Sequence, residues 1–142
     1  MDGRKIYIDS SVVLRRILEQ PGAIENWSTW ELAVSSELMS VEVLRALDRM
    51  RVTGRLSAVQ MAEYAEELRM WTAAFDEVPL DRSILRRTAA SFPTPLGTLD
   101  AIHLATALIW SEANKEDLVF LTHDRQLALA ARACGLDVKT AP

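Results

Sequence analysis

Leu118-Val119-Phe120-Leu121-Thr122, bounded by Asp117 and Asp124, is the stretch whose reading decides the fold. A short apolar run between turn-forming acids suits a strand buried in a sheet that is covered on both faces. An alanine-rich helical pattern follows over 124–134. Gly135 then stands where a helix C-terminal glycine belongs, and Leu136-Asp137-Val138-Lys139 is a last candidate strand. Working back, 98–113 is apolar almost all round, the mark of a buried helix. Phe92-Pro93-Thr94-Pro95-Leu96-Gly97 before it reads as a loop inside one domain. Lys5-Ile6-Tyr7-Ile8 is a second clear strand and stops at Asp9. Glu31-Leu32-Ala33-Val34-Ser35 and Phe75-Asp76-Glu77-Val78-Pro79 are weaker strands. Helical spacing covers 11–18, 37–51, 57–73 and 81–91. Val41, Leu44 and Leu47 form one expected stripe; Val59, Ala62, Ala65, Leu68 and Trp71 form another. Strands alternating with helices give βαβ units, hence an α/β fold with a mainly parallel central sheet. At 142 residues this is a single three-layer α/β/α sandwich, one domain over 1–142.

Composition narrows the chemistry. With 49% hydrophobic and 25% charged residues, the chain is an ordinary globular one and not a disordered one. The one cysteine, Cys134, excludes an internal disulfide and any multi-cysteine zinc or iron–sulfur site. The longest apolar stretch, 101–110, is far short of the roughly 18 residues of a membrane span. Arg4 and Lys5 are followed by Asp9, Arg15 and Arg16, which interrupt any signal-peptide core. A cytoplasmic protein with no membrane association is expected. Net charge is −4, so nucleic acid would have to be gripped locally. The cations are 13 Arg against 3 Lys, and arginine's planar fork suits carboxylates and phosphates.

In open parallel sheets, ligands bind outside the carboxyl ends of strands. Asp9 and Asp124 follow two strands directly. Asp100 sits in the first turn of the buried helix, and Glu42 lies about one turn into the helix after the second strand. These four carboxylates, from four segments, can converge on one end of the sheet. Each also has a plain structural role open to it. Asp9 and Asp124 can cap helices, although Ser10 or Ser11 would cap as well as Asp9. Glu42 can pair on the surface with Arg45 or Arg49, and Asp100 can complement a helix dipole. Asp117 precedes its strand and belongs at the opposite end. Several ionised carboxylates do not crowd together without a cation, and oxygen-only ligation suits Mg2+ or Mn2+. Such ions commonly serve phosphate chemistry.

Ile8-Asp9-Ser10-Ser11-Val12-Val13-Leu14 resembles the opening of PIN-domain proteins of the VapC toxin type. Ser36-Glu37-Leu38-Met39-Ser40-Val41-Glu42-Val43-Leu44-Arg45-Ala46-Leu47 is similar to the family's second segment. Leu99-Asp100-Ala101-Ile102-His103-Leu104-Ala105-Thr106-Ala107 is the most specific match, and Phe120-Leu121-Thr122-His123-Asp124-Arg125-Gln126-Leu127 completes the set. The likeness spans nearly the whole chain in the right order. It implies a PIN-like fold and the toxin component of a type II toxin–antitoxin system. The implied enzyme is a Mg2+- or Mn2+-dependent endoribonuclease that cuts RNA phosphodiesters and leaves a 5′-phosphate and a 3′-hydroxyl. The implied partners are an RNA substrate, a VapB-like antitoxin and a second copy in a homodimer. Asp9, Glu42, Asp100 and Asp124 match the family's acidic quartet. Asp9 and Asp100 fit direct metal ligation; Glu42 and Asp124 complete the site directly or through water. Thr122 matches a hydroxyl position near it. The competing reading is a non-catalytic PIN-like scaffold that binds protein or RNA, against which the intact quartet argues.

His103, three residues after Asp100, is expected to be a buried, hydrogen-bonded packing residue and not a ligand. His123 is a weaker candidate general base, and Cys134 a small core residue. Trp27, Trp30, Trp71 and Trp110 suit packing or partner contacts better than base stacking. Arg15, Arg16, Arg86 and Arg87 are candidates for gripping RNA. The helices over 37–51 and 57–73 are expected to form an apolar groove for an amphipathic antitoxin helix, with Arg45, Arg49, Arg51, Arg55 and Arg69 along its rim. An aspartyl-nucleophile phosphatase would need an acid where Ser11 stands. A receiver domain would need paired acids near the first strand and a late lysine, and Lys115, which precedes its strand, fits poorly; a Rossmann or P-loop protein would need a glycine-rich turn in place of Ser10-Ser11-Val12.

Overall fold

The computed structural model describes residues 2–24 and 30–140. Among the described residues there are five strands: β1 (Asp2–Ile8), β2 (Trp30–Ser36), β3 (Asp76–Val78), β4 (Leu118–Leu121) and β5 (Asp137–Lys139). They form one sheet in the order β3-β2-β1-β4-β5, and every pairing is parallel. The helices among the described residues are α1 (Ser10–Ile17), α2 (Leu38–Val52), α3 (Ala58–Ala74), α4 (Arg82–Ala89), α5 (Thr98–Asn114) and α6 (Arg125–Ala133). No helix among the described residues is long and apolar enough to cross a membrane.

Strand alternation divides the core into two layers. Ile6, Ile8, Val119 and Leu121 point to one face and pack with Val12, Val13 and Ile17 of α1, Met39, Val43 and Leu47 of α2, and Leu68 of α3. Tyr7, Val34, Leu118 and Phe120 point to the other face and pack with Leu104 and Ala107 of α5 and Leu127, Ala130 and Ala131 of α6. The Phe120 ring stacks on Tyr7 with centroids 5.0 Å apart. α4 closes a smaller cluster against α5 through Ile84, Ile102 and Ala105. The result is the expected α/β/α sandwich.

Local signals set the helix ends. Ser57 and Gln60 form a reciprocal capping box at the start of α3. Gly54 and Gly135, at φ +79° and +89°, follow α2 and α6 in the left-handed conformation. The next amides, of Arg55 and Leu136, turn back to Met50 and Ala131, which closes a Schellman motif at each end.

Two expected stripes are corrected. α2 buries Met39, Val43 and Leu47, and leaves Val41 56% and Leu44 38% exposed. Its apolar residues cover more than half of the helix circumference, so spacing alone permits two inward faces; contact with α1 and the sheet selects one. In α3 Val59 is exposed, and Met61, Tyr64, Leu68 and Trp71 face the core.

Candidate active site

β1 and β4 are neighbours, and the chain leaves β1 toward β2 but leaves β4 toward β5, so a crevice opens at their carboxyl ends. Ile8 pairs with Leu121, and the Asp9 amide donates to the Leu121 carbonyl at 3.3 Å. Asp9 therefore emerges beside the Thr122–Asp124 segment.

Asp9 is only 3% exposed and caps α1, with Oδ1 accepting from the Val12 amide at 3.2 Å. Ser11 is not the cap; its hydroxyl donates to the same Oδ1 at 2.6 Å. Thr122 Oγ1 donates to Oδ2 at 2.5 Å. Both hydroxyls are held from behind. Ser11 Oγ accepts from the His123 amide and Thr122 Oγ1 from the Asp124 amide, each at 3.0 Å. Burial pushes the Asp9 carboxyl up from its ordinary range, although the hydrogen bonds from Ser11, Thr122 and the Val12 amide pull the other way. Asp124 caps α6 through the Leu127 amide at 2.9 Å. Both capping roles open to these acids are thus in use, and both acids also line the crevice.

Glu42 does not pair with a surface arginine. Its Oε1 meets His103 Nε2 at 2.5 Å, and His103 Nδ1 meets the Tyr7 hydroxyl at 2.7 Å. His103 is buried and hydrogen-bonded, as expected. Asp100 occupies the first turn of α5 at the mouth of the crevice and is half-buried. Its carboxyl is pushed up to about 6, first by burial and then by the charges of Asp124 and Asp9, with Glu42 adding to them.

All four acids line one cleft of about 560 Å³, between α1, α2 and the start of α5. Leu14, Leu38, Val41, Ala46 and Leu99 supply its apolar wall, and Arg45 and Arg49 also line it. The donor set is oxygen only, which fits a hard divalent cation and not zinc. Repulsion at Asp100 is the electrostatic sign of acids crowded together. The crowding stops short of a closed cage: among the described residues no three His, Cys, Asp or Glu side chains gather closely enough to enclose an ion.

The cleft that the acids line is not the groove expected between α2 and α3. α3 turns its apolar side to the core and does not line the cleft, whose second wall is α1. Of the expected rim cations, Arg45 and Arg49 line the cleft, while Arg51 pairs with Asp48 at 2.9 Å. Arg87 is committed elsewhere: it stacks over Phe92 and donates to the Ser91 carbonyl. Arg15 lies near His123, where burial and this cation hold the imidazole below its usual range. Asp117 and Cys134 line a separate hollow, and Trp110 donates to Asp76. Trp27 lies outside the described residues. Sequence reasoning missed Tyr7 and the bond between His103 and Glu42. The only signal for them is a polar pair inside apolar runs.

The PIN domain model matches residues 6–133. The chain is 30% identical over 132 residues to Ribonuclease VapC47 of Mycobacterium tuberculosis, covering 92% of each. It is 36% identical over 140 residues to Ribonuclease VapC35 of the same organism, covering 94% of each. Its fold is similar to that of a chain in the crystal structure of VapBC2 from Rickettsia felis bound to a DNA fragment from their promoter. That match has a TM-score of 0.68 at 7% identity and covers 97% of this chain and 99% of that one. The fold, the order of the acidic segments and these full-length likenesses agree: the chain belongs to the PIN-domain family, among its VapC ribonucleases.

Proposed function

We propose that this protein is the toxin of a type II toxin–antitoxin pair and acts as a Mg2+- or Mn2+-dependent endoribonuclease. The observation that carries the proposal is the placement of Asp9, Glu42, Asp100 and Asp124 along one cleft at the β1/β4 crevice. Asp9 and Asp100 are the direct ligands in this reading, and Glu42 and Asp124 bind directly or through water. A divalent ion held there would supply Lewis acidity toward a scissile phosphate and toward the attacking water.

The chain's own groups do the rest. Ser11 and Thr122 fix both Asp9 oxygens, so the acid enters the reaction with its rotamer already set. Asp100, with a carboxyl near 6, can hold or release a proton close to neutral pH. Arg45 and Arg49 face the cleft, where they can neutralise RNA phosphates despite the net negative charge. The apolar wall beside them suits the C-terminal part of a VapB-like antitoxin, which would block RNA by occupying the same groove.

The test is cleavage of RNA with and without chelator, followed by analysis of the ends. Metal-dependent cuts with 5′-phosphate and 3′-hydroxyl ends are expected. Cutting that persists in excess EDTA, or that leaves 2′,3′-cyclic phosphates, would overturn the mechanism. RNA binding without any cleavage would return the protein to the scaffold reading.

A further inference from the structure

We propose that His103 is a positioning residue for Glu42 and that Tyr7 fixes the imidazole in that task; the inference rests on the metal-dependent reading above. His103 lies within the buried run of α5, flanked by Ile102 and Leu104, where an apolar side chain would satisfy packing alone. It is 1% exposed, and both ring nitrogens are engaged. The contacts join three elements that are distant in sequence: Tyr7 at the end of β1, His103 on α5 and Glu42 on α2.

The chemistry sets the direction of each bond. An ionised carboxylate only accepts, so His103 Nε2 must carry the proton given to Glu42 Oε1. In a neutral imidazole Nδ1 is then the acceptor, and the Tyr7 hydroxyl must donate to it. The chain therefore runs from Tyr7 O–H to His103 Nδ1, and from Nε2–H to Glu42. A glutamate is long and flexible; this one has Oε1 tied down, which leaves Oε2 as its oxygen for the cleft. Glu42 should serve as a single-oxygen donor, directly or through water, and not as a chelating pair.

The experiment compares wild type with His103→Gln and His103→Asn. A glutamine amide nitrogen reaches close to the position of Nε2, and an asparagine amide nitrogen close to that of Nδ1. The first therefore keeps the donor to Glu42 and the second does not. In the metal-free protein, 15N NMR should find the neutral His103 ring protonated at Nε2. In Mn2+ titrations without RNA, His103→Gln should bind within about threefold of wild type, and His103→Asn about 10- to 100-fold more weakly. Tyr7→Phe keeps the stacked ring and loses only the hydroxyl, so it serves if His103→Asn does not fold. It should leave the ring protonated at Nε2 but no longer held at Nδ1, and bind Mn2+ more weakly. A ring protonated at Nδ1, equal affinities of the Gln and Asn variants, or wild-type affinity in Tyr7→Phe would overturn the inference alone. Absence of Mn2+ binding by wild type would instead overturn the metal reading, and the inference with it.

Discussion

Thr122 Oγ1 donates to Asp9 Oδ2 at 2.5 Å across 113 residues of sequence. This one bond links the ends of β1 and β4, and both groups are buried. Thr122→Val should leave a buried carboxylate oxygen short of a donor and the Asp124 amide short of an acceptor. A loss of about 1–3 kcal/mol is expected, read as a lower urea midpoint with an unchanged slope. Thr122→Ser should recover most of it.

Asp9→Asn should fold. Asparagine caps helices as well as aspartate, and it removes a carboxylate whose buried charge is disfavoured. Stability within about 1 kcal/mol of wild type is expected, with RNA cleavage lost. Asp9→Ala should lose the cap as well, at a cost of about 1–2 kcal/mol. Unfolding of Asp9→Asn would mean that Asp9 is chiefly structural.

Asp100 makes stability depend on pH. Its carboxyl sits near 6 in the folded chain against 3.8 ordinarily, so between these values the folded state holds a proton that the unfolded state has lost. Stability should therefore fall as pH rises through this window, with the full penalty present above about 6. Asp100→Asn should remove the penalty. At pH 7.5 a gain of about 1 kcal/mol is expected after allowance for solvent screening of a half-exposed group. Thermal melts in EDTA should show this gain at pH 7.5 and none at pH 3.5. An equal shift at both pH values would exclude the electrostatic cause.

Divalent metal should reverse that balance. At 100 times its dissociation constant, Mn2+ should stabilise wild type by about 2.7 kcal/mol. Asp9→Asn and Asp100→Asn should lose most of the response, and EDTA should restore the starting melt. Equal metal-induced shifts in wild type and both variants would place the bound ion elsewhere.

Arg45 and Arg49 should grip phosphate. The double change to alanine should weaken single-stranded RNA binding and flatten its dependence on salt. The slope of log affinity against log salt should fall by about 0.7 for each phosphate that is no longer neutralised. An unchanged slope would assign the RNA path to other cations, Arg15 and Arg16 first.

Much of this architecture is legible in the sequence because its signals are local. Asp9 and Asp124 follow strongly apolar strands, and Gly135 terminates α6 at the expected place. The inward face of α2 is not legible. Leu38, Met39, Val41, Val43, Leu44 and Leu47 offer two rival stripes, and only packing against α1 and the sheet chooses Met39, Val43 and Leu47. The partner of Glu42 was hidden for another reason: His103 lies 61 residues away on a helix whose periodicity announces only burial. Nearby Arg45 and Arg49 offered a simpler local match.

The placement of β1 in the middle of the sheet also bears on synthesis. Tyr7 pairs with Val34 of β2 on one side and with Phe120 of β4 on the other, and β4 begins only at Leu118. Until the ribosome has released that late segment, the first strand has a bare edge, Asp9 lacks its Thr122 donor, and Asp124 is missing. A nascent chain in which β4 has not yet emerged thus holds Asp9 without Asp124, and the proposed site cannot assemble until that segment is made. Ribosome-bound chains arrested before β4 emerges should show no cleavage, and arrest after β4 and α6 have emerged should switch it on.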